Sequence, residues 1–145
     1  MKRIAKETIG ILAGSVLASV LFSLPAFAQV LNPGDTLSQG EAIRSANDEY
    51  ELILQDDGNL VLYDLGRKRR VLWSTRTQGR AVRRATMQKD GNFVLYGYDR
   101  KPVWDTGTQG YAAYLVVQND GNVVIYYRTN RGNPTPAWAS GSGPR

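Results

Sequence analysis

The sequence predicts an all-β domain behind a short leader. Three observations carry that prediction: a nonapeptide that recurs three times, alternating apolar and polar residues on both sides of each copy, and no apolar period of 3.6 after residue 28. Of the 145 residues, 42% are hydrophobic and 21% charged, so there is enough apolar material for a core and an ordinary surface. Cys and His are both absent. That removes disulfides, thiol chemistry, the commonest general base and the commonest transition-metal ligand.

Residues 1–28 read as a secretory signal peptide. Lys2, Arg3 and Lys6 make a basic start, and an apolar stretch runs from Ile9 to Leu24. Pro25 and the small-x-small triplet Ala26-Phe27-Ala28 then precede Gln29. The alternative, an uncleaved anchor, is disfavoured by the helix-breaking Pro25 and by the small residues at −3 and −1. The mature chain is therefore expected to begin at Gln29, to span no membrane, and to be secreted or periplasmic. Removing Lys2, Arg3, Lys6 and Glu7 takes away a net +2 from the formal +5 and leaves +3. That mild basicity on an exported chain calls for no nucleic-acid partner.

The repeat begins as Gln55-Asp56-Asp57-Gly58-Asn59-Leu60-Val61-Leu62-Tyr63. It returns as Gln88-Lys89-Asp90-Gly91-Asn92-Phe93-Val94-Leu95-Tyr96 and as Gln118-Asn119-Asp120-Gly121-Asn122-Val123-Val124-Ile125-Tyr126, with starts 33 and then 30 residues apart. Each copy obeys Q-x-D-G-N-x-V-x-Y, and a Trp follows each: Trp73, Trp104 and Trp138. Before each motif an apolar pair alternates (Leu52 and Leu54, Ala85 and Met87, Leu115 and Val117). After it comes another (Leu60 and Leu62, Phe93 and Leu95, Val123 and Ile125). Two alternating runs joined through Asp-Gly make a hairpin, because Gly and Asx tolerate the positive φ of tight turns.

Strand pleat sorts the residues. The aliphatic parity should face the core, which sends Gln55, Asp57, Asn59, Val61 and Tyr63 together to the outward face. Turn chemistry alone explains Asp-Gly-Asn, but not the Gln and Tyr that accompany it three times. A fold does not require exposed Gln, Asp, Asn and Tyr, so their repetition points to binding. A carboxylate accepts hydrogen bonds, a carboxamide donates and accepts, and a phenol does either. Neighbouring sugar hydroxyls match that mixture, with the Val offering apolar surface to a ring. The adjacent Asp56 and Asp57 lie on opposite faces and make no acid/base pair across a glycosidic bond. No catalytic constellation is present, and no enzyme activity is expected.

These motifs resemble the bulb-type (monocot) mannose-binding lectins, whose signature is Q-x-D-x-N-x-V-x-Y. The likeness extends from Gly34-Asp35-Thr36-Leu37-Ser38-Gln39-Gly40-Glu41 to the Trp138 segment. It implies one bulb-type lectin domain over 29–145 with a β-prism II fold: three four-stranded antiparallel sheets about a pseudo-threefold axis, tryptophans inside. It also implies one mannose pocket per sheet, with no metal and no cofactor. By the family pattern, Asp57 and Asn59 would hold the axial 2-hydroxyl, Gln55 the 3-hydroxyl and Tyr63 the 4-hydroxyl, with Val61 against the ring. The same roles pass to Asp90, Asn92, Gln88, Tyr96 and Val94, and to Asp120, Asn122, Gln118, Tyr126 and Val124. The implied partners are mannose-containing glycans. A homodimer formed by exchange of C-terminal strands, hinged near Pro134 and Pro136, is the family expectation.

Three further features have two readings each. The tryptophans are assigned to a shared core rather than to ligand stacking, because they recur once per repeat. Arg67-Lys68-Arg69-Arg70, followed by Arg80, Arg83 and Arg84, reads as a solvated loop that protects sheet edges, with an anionic-polysaccharide patch as the alternative. For the chain as a whole, the alternative to a mannose lectin is an antibacterial toxin or protein-interaction module on the same fold.

Overall fold

The computed structural model describes residues 29–144. The expected leader, residues 1–28, lies outside them. Among the described residues, twelve strands form three four-stranded antiparallel sheets. Sheet I contains β3 (Ala42–Arg44), β4 (Tyr50–Leu54), β5 (Leu60–Asp64) and β6 (Arg70–Ser74). Sheet II contains β2 (Thr36–Ser38), β7 (Val82–Met87), β8 (Phe93–Gly97) and β9 (Pro102–Asp105). Sheet III contains β1 (Val30–Leu31), β10 (Tyr114–Val117), β11 (Val123–Tyr127) and β12 (Thr135–Ala139). The β-prism expected from the motif is the architecture observed.

Each repeat supplies three consecutive strands, and the N-terminal segment supplies the fourth strand of every sheet. Its three short strands pair in turn with β10, β7 and β4. One residue of each points inward, namely Leu31, Leu37 and Ile43, all at most 4% exposed. β12 pairs with β11 of the same chain and forms the outer strand of sheet III. Pro136 sits within β12, at the sheet edge where a missing N–H is tolerated.

The core is the set that alternation assigns. Leu52, Leu54, Leu60, Leu62, Ala85, Met87, Phe93, Leu95, Leu115, Val117, Val123 and Ile125 form one buried cluster. Against it packs a closed triangle of indoles. Trp73, Trp104 and Trp138 meet edge to face at centroid distances of 5.8, 5.5 and 6.1 Å, with interplanar angles of 68–80°. This geometry sets the positive edge of one ring against the negative face of the next.

Strand register explains how two adjacent residues reach the core from each outer strand. Leu62 pairs with Trp73 but Tyr63 with Val71, leaving Leu72 as the extra residue of a β-bulge. Val103 and Ala137 occupy the same place opposite Leu95/Tyr96 and Ile125/Tyr126. All three bulged residues pack on the core beside their Trp. A fourth bulge, between Val82 and Arg84 in β7, has no counterpart in β4 or β10. It leaves Arg83 and Arg84, consecutive in sequence, both exposed between the buried Val82 and Ala85.

Candidate carbohydrate-binding sites

Each motif begins at a three-residue hairpin loop. In sheet I, Gly58 N–H donates to the Gln55 carbonyl (3.0 Å) and Gln55 N–H to the Asn59 carbonyl (2.9 Å). Gly58 takes φ +87°, as Gly91 (+94°) and Gly121 (+82°) do, which is the type I turn closed by a left-handed residue that three-residue hairpins favour. Space selects glycine as well. A Cβ on Gly91 would lie 2.5 Å from the Gly110 backbone, and one on Gly121 2.8 Å from the Tyr50 ring.

The structure brings all five motif residues of each repeat to the outer side of its own sheet. The burial is the same in each: Gln half-buried, Asp exposed, Asn half-buried, Val buried, Tyr half-buried. Gln55 Nε2 lies 2.5 Å from the Tyr63 hydroxyl, and Gln118 Nε2 2.6 Å from that of Tyr126. In sheet II, the Gln88 amide orientation that satisfies both neighbours accepts from the Tyr96 hydroxyl and donates to the Asp90 carboxylate at 3.2 and 3.3 Å. In every site the Asp Oδ1 accepts from the Asn backbone N–H at 2.9 Å.

Two motif residues do more for the fold than their outward parity predicts. Val61, Val94 and Val124 are only 2–3% exposed. They lie outside the central cluster, as floors of the outer grooves, because each belongs to an inner strand flanked on both sides. The asparagines anchor the chain after each Trp. Asn59 Oδ1 accepts from the Thr75 hydroxyl (3.2 Å) and Thr77 N–H (3.2 Å). Asn92 Oδ1 accepts from Thr106 (3.1 Å) and Thr108 N–H (3.3 Å), and Asn122 Oδ1 from Ser140 (2.8 Å) and Gly141 N–H (3.1 Å). The second hydroxyl of each pair, on Thr77, Thr108 or Ser142, then donates to the turn glycine carbonyl at 2.6–2.7 Å. The clue in the sequence is the recurrence of two hydroxyl residues two positions apart, just after each Trp: Thr75 and Thr77, Thr106 and Thr108, Ser140 and Ser142.

What remains for a ligand is a mixture of donors and acceptors. The Asn59 and Asn122 Nδ2 groups and the Asp57 and Asp120 Oδ2 atoms make no hydrogen bond among the described residues, while Asn92 Nδ2 contacts Asp105 Oδ1 at 3.3 Å. The surroundings of the tyrosines differ. Beside Tyr63 stands Glu51, 7% exposed, held by Arg44 (2.8 Å) and by Arg69 (2.9 Å), whose guanidinium lies 3.9 Å above the Tyr63 ring. Beside Tyr96 stands Arg84, 5.3 Å from the ring. Beside Tyr126 stands Tyr114, stacked on it at 5.8 Å, and Arg128 lies over the Tyr114 ring at 4.7 Å. Much of the 67–70 basic run is neutralised internally, since Arg69 pairs with Glu51 and Arg70 with Asp64 (2.9 Å).

Comparisons with known proteins agree with this geometry. No family model matches the chain. It is 42% identical over 98 residues to the mannose-specific lectin of Aloe arborescens, covering 65% of this chain and 81% of that one. Several other matched lectins are longer, and the chain spans about half their length. Among solved structures, the monomeric monocot mannose-binding lectins from Gastrodia elata superpose with a TM-score of 0.68 at 36% identity, over 80% of this chain and 99% of theirs. The snowdrop (Galanthus nivalis) bulb agglutinin, solved with methyl-α-D-mannoside, gives 0.60 at 38% identity, over 72% and 94%. A threefold sheet assembly, an outward polar cluster repeated on each sheet, and these likenesses together place the chain: it belongs to the bulb-type mannose-specific lectin family.

Proposed function

We propose that this chain is a binding protein for terminal α-mannose, exported from the cell, with one site on each sheet. The observation that carries the reading is the threefold recurrence of the same polar set on three outer grooves. Membership of a mannose-specific lectin family supports mannose as the sugar for that set. In each site the Asn Nδ2 donates to a hydroxyl and the Asp Oδ2 accepts from the same or the neighbouring one. The Gln–Tyr pair supplies a second donor–acceptor point, and the Val floor meets ring carbons. A hydroxyl moved from axial to equatorial leaves the Asp–Asn pair without its partner, so glucose is rejected. Such shallow sites bind a monosaccharide at about millimolar strength, near −4 kcal/mol. Useful avidity comes from several sites engaging one branched glycan.

The test is retention on immobilised mannose. The mature chain is expected to bind the column, to elute with methyl α-mannoside, and to ignore methyl α-glucoside. Passage through the column without retention, by a protein with a folded circular dichroism spectrum, refutes the proposal.

A further inference from the structure

We infer that site 2 recognises mannose that carries, or directly adjoins, an anionic group, which is received by a basic recess on the outer face of sheet II. The inference rests on the mannose reading of site 2 and adds to it a second, charged contact. The recess has a volume of about 830 Å³, and its lining includes Ser38, Gln39, Arg83, Arg84, Tyr98 and Arg100. Its position beside the sugar groove follows from register: Tyr96 pairs with Arg84, and Arg84 with Ser38, along one row of the sheet.

The bulge in β7 makes this recess basic. In a regular strand only one of two consecutive arginines faces outward, but the extra residue lets Arg83 and Arg84 do so together. Arg100, in the β8–β9 turn, is the third base. None of the three forms an ion pair with a carboxylate among the described residues, whereas Arg44, Arg69 and Arg70 all do. Arg83 leans toward the Tyr98 ring (6.0 Å) and Arg84 toward that of Tyr96 (5.3 Å), so each exposed guanidinium has an aromatic ring beside it and its donors stay open to a ligand. The wall is tied down as well: Gln39 Nε2 donates to the Val82 carbonyl (2.9 Å), and the Tyr98 hydroxyl donates to Gln39 Oε1 (2.7 Å).

The other two sheets set the contrast. At the position of Arg84, site 1 has the internally paired Glu51 and site 3 has Tyr114. No Asp or Glu is among the residues that line the recess. Glu41 accepts the Ser38 amide (2.8 Å), Asp99 accepts the Lys101 amide, and Asp105 stands on β9, on the opposite flank of the groove. Planar guanidinium groups match the paired oxygens of a carboxylate or phosphate, so the ligand is a mannosyl unit with such a group at its Tyr96 end.

The experiment follows the Val94 methyl signals, which report site 2, during titration of the folded chain with methyl α-mannoside, mannose 6-phosphate and short mannuronate oligomers at about 20 and about 500 mM salt. At low salt one of the two anionic probes should bind about tenfold tighter than methyl α-mannoside, with most of that advantage lost at high salt. Whichever probe shows the advantage supports the inference and identifies the anion. The R83Q/R100Q variant should lose the advantage while holding methyl α-mannoside within about twofold of the parent. Equal affinities for neutral and anionic probes overturn the inference and leave the mannose reading standing, as does an advantage that survives R83Q/R100Q. If Val94 fails to respond to the neutral mannoside, the mannose reading of this site falls, and the inference with it.

Discussion

The motif asparagine has two duties that substitution can separate. In sheet I, Asn59 Oδ1 accepts from Thr75 and from the Thr77 N–H, and Thr77 is only 1% exposed. Asn59→Ala removes the acceptor. The Thr75 hydroxyl still has the Thr77 hydroxyl at 2.8 Å, but the Thr77 N–H is left unpaired in a buried place. An orphaned buried donor costs about 1–3 kcal/mol, which for a domain of this size lowers Tm by about 4–12 °C. Asn59→Asp keeps an acceptor at the same position and replaces the free Nδ2 donor by an oxygen. Its stability should lie within about 1 kcal/mol of the parent, while a hydroxyl at the site loses a donor and meets a lone pair instead. The affinity of site 1 should then fall about tenfold or more. Thermal unfolding measures the first effect. Methyl α-mannoside titration of the Val61 methyl signals, with Val94 and Val124 as internal controls, measures the second. An Asn59→Asp protein that binds like the parent refutes the donor assignment. An Asn59→Ala protein that melts with the parent refutes the anchoring role.

Three other outcomes follow from the packing. The Thr86 Oγ1 is buried without a hydrogen-bond partner, and the equivalent residues of the other sheets are Ile53 and Val116. Thr86→Val should therefore stabilise the chain by about 1 kcal/mol in denaturant titration, and a loss of stability would contradict the assignment. Trp73→Ala opens the indole triangle and should cost about 3 kcal/mol or more, with a similar loss for Trp104→Ala; a cost under about 1 kcal/mol would mean that the triangle is ornamental. The Gly66 amide, and after it Arg70, holds the Asp64 carboxyl below its ordinary 3.8. A lowered carboxyl gives stability that is present above that ordinary value and disappears as pH falls through the folded value. Asp64→Asn should therefore be less stable than the parent near neutrality and draw level with it as pH falls below about 4; a variant as stable as the parent at about pH 7 would show that the Gly66 and Arg70 contacts do not stabilise the fold.

Much of the architecture was readable because two periodicities reinforced each other. The period of two sorted Leu60 and Leu62 from Val61 and Tyr63, and the recurrence of the motif counted the sheets. The tryptophans meet one another near the common axis, as one per repeat should, but they stay partly buried against the core rather than inside it. Other features were hidden. Leu31, Leu37 and Ile43 stand six residues apart, each the lone inward side chain of a strand too short for visible alternation. Parity put Asn59 on the outer face but could not show that Thr75-Arg76-Thr77 folds back to hydrogen-bond it. The bulge at Arg83 had no signature beyond two adjacent arginines, because an inserted residue breaks the alternation by which strands are read.

The lacing of residues 30–44 through all three sheets has a consequence for the order of assembly. Ile43 meets Leu52 across a few residues of chain, Thr36 must wait for Thr86, and Val30 for Val116. A growing polypeptide thus closes its faces in sequence, the nearest pairing first and the most distant last, as loop-closure entropy requires. The earliest-synthesised strand is the final one to dock, and until it does so one ladder edge stays open to water and to other chains.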